Sequence, residues 1–483
     1  MVDERSIGYR PTWAEINLDN LAYNFQQIKN TVGRGVKIMA CVKAEAYGHG
    51  LVPVAKQLVS CGVDHLAVAC VDEAVALRKS GVGAPVLVLG VILDRDIDPL
   101  FDHNITPTVC SLSLARALSK EAGRRNTPID IHVKVDTGMT RIGVMHHQAY
   151  EFVKKAYSLP NIRIQGIFTH LACADSDESL TKHQISLFEK LVKKLEAGSI
   201  FIPLVHAANS MGVVSYKKSH FNMVRPGLIL YGIYPASGLS IDLRPVMSLK
   251  TKVIYLKNVP KGCGVSYGHT YVTKKNTSIA TLPIGYGDGY PRNLSNIGPV
   301  LINSKRFRIA GRICMDQIMV DAGDSGLKLG DEAVLIGSQG NAHISAEYLA
   351  GLGQTIPYEI VCGIGSRVPR VYIKNGSAGW QAEAAEKRRY ERRSMKIPVV
   401  FTDMPSGGDM AVTEDISARG LRLLTSRQIT AYRRHDLRLE LERSRPVYAS
   451  GVAVWSRPDP KGHYESGIRL DRPLPSDMNK ITD

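Results

Sequence analysis

Short β-branched apolar runs alternate with segments of helical period from residue 36 to about 232, and eight such runs can be counted. They are VKIMACVKA (36–44), HLAVACV (65–71), APVLVLGV (84–91), ITPTVCS (105–111), IDIHVKVD (129–136), IRIQGIFTHLA (162–172), IPLVHAAN (202–209) and NMVRPGLILYG (222–232). Between them lie helix candidates, the clearest at 181–197, where Ile185, Phe188, Leu191, Val192 and Leu195 recur at spacings of three and four. Another, at 19–30, precedes the first run. Eight near-continuous apolar strands, each followed by a helix-length connection, predict a closed (β/α)8 TIM barrel, with its chemistry at the strand C-terminal ends. After about 240 the helical period fades, and Gly-rich and Pro-rich turns separate runs such as LKTKVIYLKNV, SIATLPIGYGDGY and DEAVLIG, which reads as a mainly β second domain. Residues 375–387 read as a linker running into a short helix, and the runs IPVVF, GLRLLT, HDLRLELE, ASGVAVW and ESGIRL beyond it read as a small C-terminal β-barrel. The expected organisation is a multidomain α/β plus β chain: barrel 10–238, β domain 239–373, linker 374–387 and third module 388–478.

Composition narrows the function classes. No apolar run among the 483 residues approaches the ~20 that a membrane span needs. The first residues lack the apolar stretch of a secretory signal, so a cytoplasmic protein without membrane insertion is expected. Eight cysteines are scattered without a CxxC pair, which reads as reduced thiols in the core; no metal site is expected. The net charge of +16 could attract nucleic acid. However, residues 371–483 hold 20 basic and 15 acidic residues, net +5, and the remaining excess is spread thinly over the first 370. Nucleic acid is therefore not an expected partner.

Polar residues cluster where the barrel places its mouth. Lys43 ends the first run, Lys134 and Asp136 the fifth, His170 the sixth, Asn209 and Ser210 the seventh, and Arg225 lies in the eighth. A lysine at a strand end is usually solvated, but it can also bond a carbonyl cofactor. Five polar strand ends converging on one mouth favour chemistry over a set of groups that merely satisfy one another.

The segments VKAEAYGHG, VKVDTGMTRIG, FTHLACAD, HAANS, NMVRPGLILYG, VSYGHTY, IGYGDGYPR, GRICMDQ and GIGSRVPR closely resemble the bacterial alanine racemase family, in order over roughly residues 10–373. The resemblance implies a pyridoxal 5′-phosphate enzyme interconverting L- and D-alanine, working as a homodimer whose active sites are shared between subunits. By motif, Lys43 would hold the cofactor and serve the D-enantiomer, while Tyr267 would be the second base, serving the L-enantiomer. Two bases are needed because one would tend to return the proton to the face it came from. Arg141 would contact the cofactor's phenolic oxygen and the substrate carboxylate, and Met315 would offer its backbone N–H to that carboxylate. Arg225 would face the pyridine nitrogen, and its reluctance to release a proton would limit side reactions; His170 would buttress it and the ring. Lys134 matches a position carbamylated in some members, an unmodified lysine being the alternative. Tyr47, Ser210, Tyr358 and the backbone around Gly227 and Leu228 would hold the phosphate, with Asn209 beside them. GYGDGYPR would line the entrance, or else supply plain turn and core residues. Glu45 stands where the family more often has Asn or Asp, and Thr140 where it often has Gly. D-Alanine would supply peptidoglycan. Alternatives are a broader-specificity racemase acting on serine or other small side chains, a different pyridoxal-phosphate barrel enzyme, or a receptor with an inert barrel.

In the third module KRRYERR places Arg388 and Arg392 four apart, and DISARG supplies Asp415, Ser417 and Gly420. These resemble the RxxxR and (D/N)xSxxG motifs of PilZ domains, which implies cyclic di-GMP as a ligand. Paired guanidinium forks suit phosphates and guanine, and the Asp-Ser-Gly turn suits the base edges. The plain alternative for the arginines is a solvated helix face or a nucleic-acid arm.

Overall fold

The computed structural model describes residues 9–380, and in the C-terminal module 393–394, 396–402, 410–417, 420–426, 429, 434–440, 446–458 and 463–471. The chain forms two compact units, Met1–Ala382 and Glu383–Asp483.

In the first unit, strand β1 (Thr12–Asn17) precedes eight short strands: β2 (Lys37–Cys41), β3 (His65–Val68), β4 (Val86–Val88), β5 (Thr106–Val109), β6 (Ile129–Asp136), β7 (Ile162–Phe168), β8 (Leu204–His206) and β9 (Met223–Val224). β2 to β9 pair in sequence order, all parallel, and β9 pairs back onto β2 through Met223 and Lys37, closing the barrel. All eight expected runs are strands. The outer helices carry one apolar face each: Glu178–Ala197 buries Ile185, Phe188, Leu191 and Leu195 and is capped by the Asp177 carboxylate, which accepts from Leu180 N–H at 2.9 Å.

The β domain is built on one large sheet in the order Lys305–Arg308, Pro299–Ile302, Glu332–Gln339, Met247–Lys252, β1, Arg370–Lys374, Ser377–Trp380. The chain's first strand therefore lies inside the second domain's sheet, antiparallel to Met247–Lys252 and parallel to Arg370–Lys374. Ser377–Trp380, expected as linker, is an edge strand paired antiparallel to Arg370–Lys374. The cause is Asn375-Gly376: both have positive φ (53° and 69°), as a two-residue hairpin turn requires. The cysteines are all free as expected, but only Cys41 is buried, and Cys70 and Cys362 are exposed. Cys70 stands just before the helix Val71–Lys79, and Cys362 in the last turn of the short helix Pro357–Gly363, both outside the core.

Among the described residues of the second unit, six strands close an antiparallel barrel, with the short Arg393–Ser394 paired to one of them. Pro398–Phe401, Met410–Ser417, Gly420–Thr425, Tyr464–Leu470, Val447–Pro458 and Arg434–Leu439 pair around in that order. Val399, Phe401, Leu421, Leu423, Leu437, Leu439 and Ile468 fill it. Among the described residues, no helix is long and apolar enough to cross a membrane.

Candidate active site

Lys43 is half-buried just beyond β2. Ala44, Glu45, Ala46 and Tyr47 follow it, all with φ between 52° and 55°. A left-handed turn of L-residues costs about 1–2 kcal/mol per residue, so it persists only where surrounding bonds hold it. Several do. Ala46 N–H donates to Val42 C=O at 2.8 Å and Gly48 N–H to Ala44 C=O at 2.9 Å. The buried His49 ring places Nδ1 at 3.0 Å from Ala46 C=O and 2.9 Å from Tyr47 C=O, which assigns the proton to Nδ1. From the β domain, Arg370 Nε donates to Gly48 C=O at 3.0 Å and the Tyr372 hydroxyl to His49 C=O at 3.1 Å. Gly48 has no substitute: φ is +80° and a Cβ would meet Val361 C=O at 2.2 Å. Glu45, in this turn, and Thr140, in the loop after β6, both sit at positive φ, the conformation that Asn, Asp or Gly adopts more readily; nothing in the structure explains Glu and Thr at these two positions.

The turn carries Tyr47 inward against Tyr231 and Tyr358, with ring centroids 4.9 and 5.9 Å away. Burial pushes Tyr47 well above the ordinary phenol range and Tyr358 up to about 12, so both hydroxyls keep their protons. Opposite, Asn209 caps the short helix Ser210–Ser215 by accepting from Gly212 N–H at 2.9 Å, and Ser210 Oγ accepts from Gly227 N–H at 3.0 Å. A Cβ on Gly227 would come within 2.5 Å of the Tyr47 hydroxyl, and Leu228 opens a buried 3-10 turn beside it. Protonated hydroxyls and backbone N–H groups around a space that only glycine leaves open fit a phosphate monoester.

Arg225 is buried to 4% exposure, with no carboxylate among the described residues against it. Its guanidinium donates to Thr169 C=O at 2.7 Å, to Ala207 C=O at 3.0 Å and to His206 Nδ1 at 2.8 Å, with His170 Nδ1 at 3.4 Å. His206 in turn lies 2.9 Å from His132 Nδ1 and stacks on Phe168 at 4.8 Å. Because an arginine is always a donor, the order is Arg225 to His206 Nδ1, then His206 Nε2–H to His132 Nδ1, with both imidazoles neutral. Burial pushes His132 down to about 3, and burial beside Arg225 pushes His206 and His170 well below the usual imidazole range. The Arg225–His206–His132 relay was not read from the sequence. The available signal was the alternation in IDIHVKVD, which puts His132, Lys134 and Asp136 on one face of β6.

Lys134 is buried over the Phe168 ring at 5.0 Å, and burial, reinforced by Arg225, lowers it to about 7. Asp136 Oδ1 accepts from Gly138 and Met139 N–H at 2.8 and 2.9 Å, shaping the loop toward the exposed Arg141.

Tyr267 and Met315 lie in the β domain, and their side chains are 71% and 53% exposed within the single chain. Tyr267 is held on a turn in which Ser266 has φ of 65° and donates through Oγ to Arg312 C=O at 2.6 Å. The GYGDGYPR segment acts as the floor of that loop: Tyr286 and Gly287 N–H donate to Cys314 and Met315 C=O, and the buried Asp288 accepts from Arg10 at 2.7 and 2.8 Å.

In the second unit Asp415 pairs with Arg422 at 2.8 Å. Ser417 pairs with Gly420 across the hairpin, and Arg393–Ser394 pairs with Ile416 and Asp415. Arg388 and Arg392 lie outside the described residues.

A half-buried lysine beside a strained turn at the mouth of a parallel barrel, hydroxyls and backbone N–H groups gathered at β8 and β9, and a buried arginine bonded to neutral histidines define the site of a barrel enzyme. Residues 16–235 match the alanine racemase N-terminal domain, 246–372 the alanine racemase C-terminal domain and 386–483 the PilZ domain. The chain is 50% identical over 374 residues to the alanine racemase of Halothermothrix orenii, covering 77% of this chain and 98% of the relative. It superposes on a Clostridium difficile alanine racemase with a TM-score of 0.74 at 40% identity, covering 77% of this chain and 98% of that one. A histidine racemase from Leuconostoc mesenteroides gives 0.71 at 28% identity, covering 76% and 99%. The chain belongs to the alanine racemase family, whose members depend on pyridoxal phosphate, and carries a C-terminal PilZ domain.

Proposed function

We propose that this protein interconverts L- and D-alanine in the cytoplasm by a two-base mechanism, supplies D-alanine for peptidoglycan, and answers to cyclic di-GMP through its PilZ domain. The observation that carries the chemistry is Arg225: a guanidinium buried to 4% exposure at the barrel mouth, oriented by neutral His206 and by the Thr169 and Ala207 carbonyls.

When bound, pyridoxal phosphate supplies the carbonyl carbon that Lys43 bonds and a conjugated ring that delocalises charge from the substrate's α-carbon. The chain's residues do the rest. Tyr47, Ser210, Tyr358 and the backbone at Gly227 and Leu228 hold the phosphate. Arg225 keeps its own protons and so leaves the ring nitrogen unprotonated, which favours simple return of a proton over side reactions. Lys43 Nζ takes or gives the α-proton on one face, for the D-enantiomer, and Tyr267 Oη does so on the other, for the L-enantiomer. Arg141 and Met315 N–H hold the substrate carboxylate. Lys134, uncharged in part at neutral pH, is a nucleophile for carbon dioxide, and its carbamate would orient Arg141.

Tyr267 and Met315 are too exposed in one chain to work in a water-excluded site, which supports a homodimer in which each β domain completes the partner's barrel. A second reading is a racemase of broader specificity, acting on serine or other small side chains; the likeness to a histidine racemase favours testing it, and pocket volume separates these cases.

Arg388, Arg392, Asp415, Ser417 and Gly420 would bind cyclic di-GMP. Within the first unit, Ser377–Trp380 pairs with Arg370–Lys374, whose Arg370 and Tyr372 donate to the carbonyls of Gly48 and His49 after the turn. The test is racemisation of L-alanine followed by circular dichroism, with pyridoxal phosphate, with and without cyclic di-GMP, alongside calorimetric binding of the dinucleotide. Turnover that changes on binding supports the whole reading. Binding without change leaves a racemase with an independent sensor, and no turnover despite bound cofactor refutes the alanine assignment.

A further inference from the structure

The left-handed turn after Lys43 has a further anchor outside the family motifs. Glu73 lies in the first turn of the helix Val71–Lys79, and its carboxylate reaches across two strand ends. Oε1 accepts from Ala44 N–H at 2.7 Å and Oε2 accepts from Ala69 N–H at 2.7 Å. Ala44 immediately follows Lys43 and is the first residue of the left-handed turn; Ala69 immediately follows β3. Ala69 is itself tied to the next strand end, its C=O accepting from Gly90 N–H at 3.2 Å. Val42 N–H, on the other side of Lys43, donates to Ala67 C=O at 2.9 Å. The residues on either side of Lys43, Val42 and Ala44, are therefore both fastened to the β3 end, one by the backbone and one by Glu73.

We propose that Glu73 is a positioning residue for Lys43: its two charge-assisted bonds fix the peptide after the lysine and so set the direction in which the side chain leaves the barrel wall. The proposal rests on the role given to Lys43 above. The chemistry requires a carboxylate because both partners are N–H donors; an amide has one accepting oxygen and would turn its NH2 toward the other donor. Glu73 meets the backbone of the turn, and its action is through Lys43.

Glu73→Ala and Glu73→Gln in the full-length, cofactor-loaded protein test this by three readouts. These are hydrogen exchange at the amides of Ala44 and Ala69, kcat and KM for alanine in both directions, and the visible absorption of the bound cofactor as a function of pH. Removal of the carboxylate is expected to speed exchange at both amides and to lower kcat about tenfold to a hundredfold, with KM within about twofold, as misdirection of a reacting group does. Gln is expected to retain protection at one amide and an intermediate kcat, and the absorption titration is expected to shift in both variants. If Ala fails to fold, Gln alone decides. Unchanged exchange at both amides, or exposed amides with kcat within twofold of wild type, overturns the proposal. So does a fall in kcat accompanied by uniform loss of protection through the barrel, since that is loss of fold. A wild-type protein inactive on alanine would refute the function while the exchange data still report on the bonds.

Discussion

Lowering the pH from 7 to 5 is predicted to destabilise the first unit through imidazoles that the fold holds neutral, three of which are almost wholly unexposed. His49 and His206 are 0% exposed and His132 is 1% exposed. Burial pushes His49 down to about 4 and His132 to about 3, and burial beside Arg225 holds His206 well below its ordinary value. In the unfolded chain each titrates near ~6.5, so below that pH the unfolded state binds protons that the native state does not. Stability is then unaffected by these groups above about pH 7, begins to fall near ~6.5, and keeps falling until the native values are reached. At pH 5 each site costs about 2 kcal/mol. The unfolded rings take up their protons independently, so the set costs about 6 kcal/mol, a large share of the ~5–15 kcal/mol by which domains are usually stable. Protonating either member also breaks the relay, because an imidazolium cannot accept from Arg225 or from the other ring. Urea unfolding at steps between pH 5 and 7.5 measures this in a window above the ~4 at which most carboxylates titrate. A loss of less than about 1 kcal/mol between pH 7 and 5 would refute neutral burial of the three rings.

Gly227→Ala places a methyl 2.5 Å from the Tyr47 hydroxyl, and equilibrium titration should show cofactor affinity weakened about tenfold or more, with the fold retained by far-ultraviolet circular dichroism. Lys134, lowered to about 7 by burial, is predicted to add carbon dioxide: labelled bicarbonate should give a carbamate carbon signal that Lys134→Arg abolishes, and a signal unaffected by that change contradicts the assignment. Tyr267→Phe should stop racemisation in both directions yet still allow Lys43 to exchange the α-hydrogen of D-alanine with deuterated solvent; equal exchange from both enantiomers would contradict the division of roles.

The barrel was legible because its strands are buried on both faces and read as unbroken apolar runs, from VKIMACVKA to NMVRPGLILYG. β1 was not, since its partners Met247–Lys252 and Arg370–Lys374 lie more than 200 residues away and no local pattern announces them. The Asn375-Gly376 hairpin carried a strong local signal that the Ala- and Glu-rich stretch after it obscured. The places of Lys43, Tyr47, Ser210 and Arg225 at the barrel mouth could be expected from motif order. The histidine relay and Glu73 could not: His132 and His206 sit inside apolar runs where a histidine reads as core, and Glu73 opens an ordinary amphipathic helix. Their roles come from pairings between distant segments. Tyr267 is the opposite case, since it is legible by resemblance and yet exposed in the single chain.

Mixing two inactive variants, Lys43→Ala and Tyr267→Ala, tests the shared two-base site most directly. If each site combines Lys43 of one subunit with Tyr267 of the other, half of the re-equilibrated dimers are mixed and each has one intact site of two. Alanine racemisation should then return to about a quarter of the wild-type rate. A mixture as inactive as its components, despite exchange of subunits, would contradict the account.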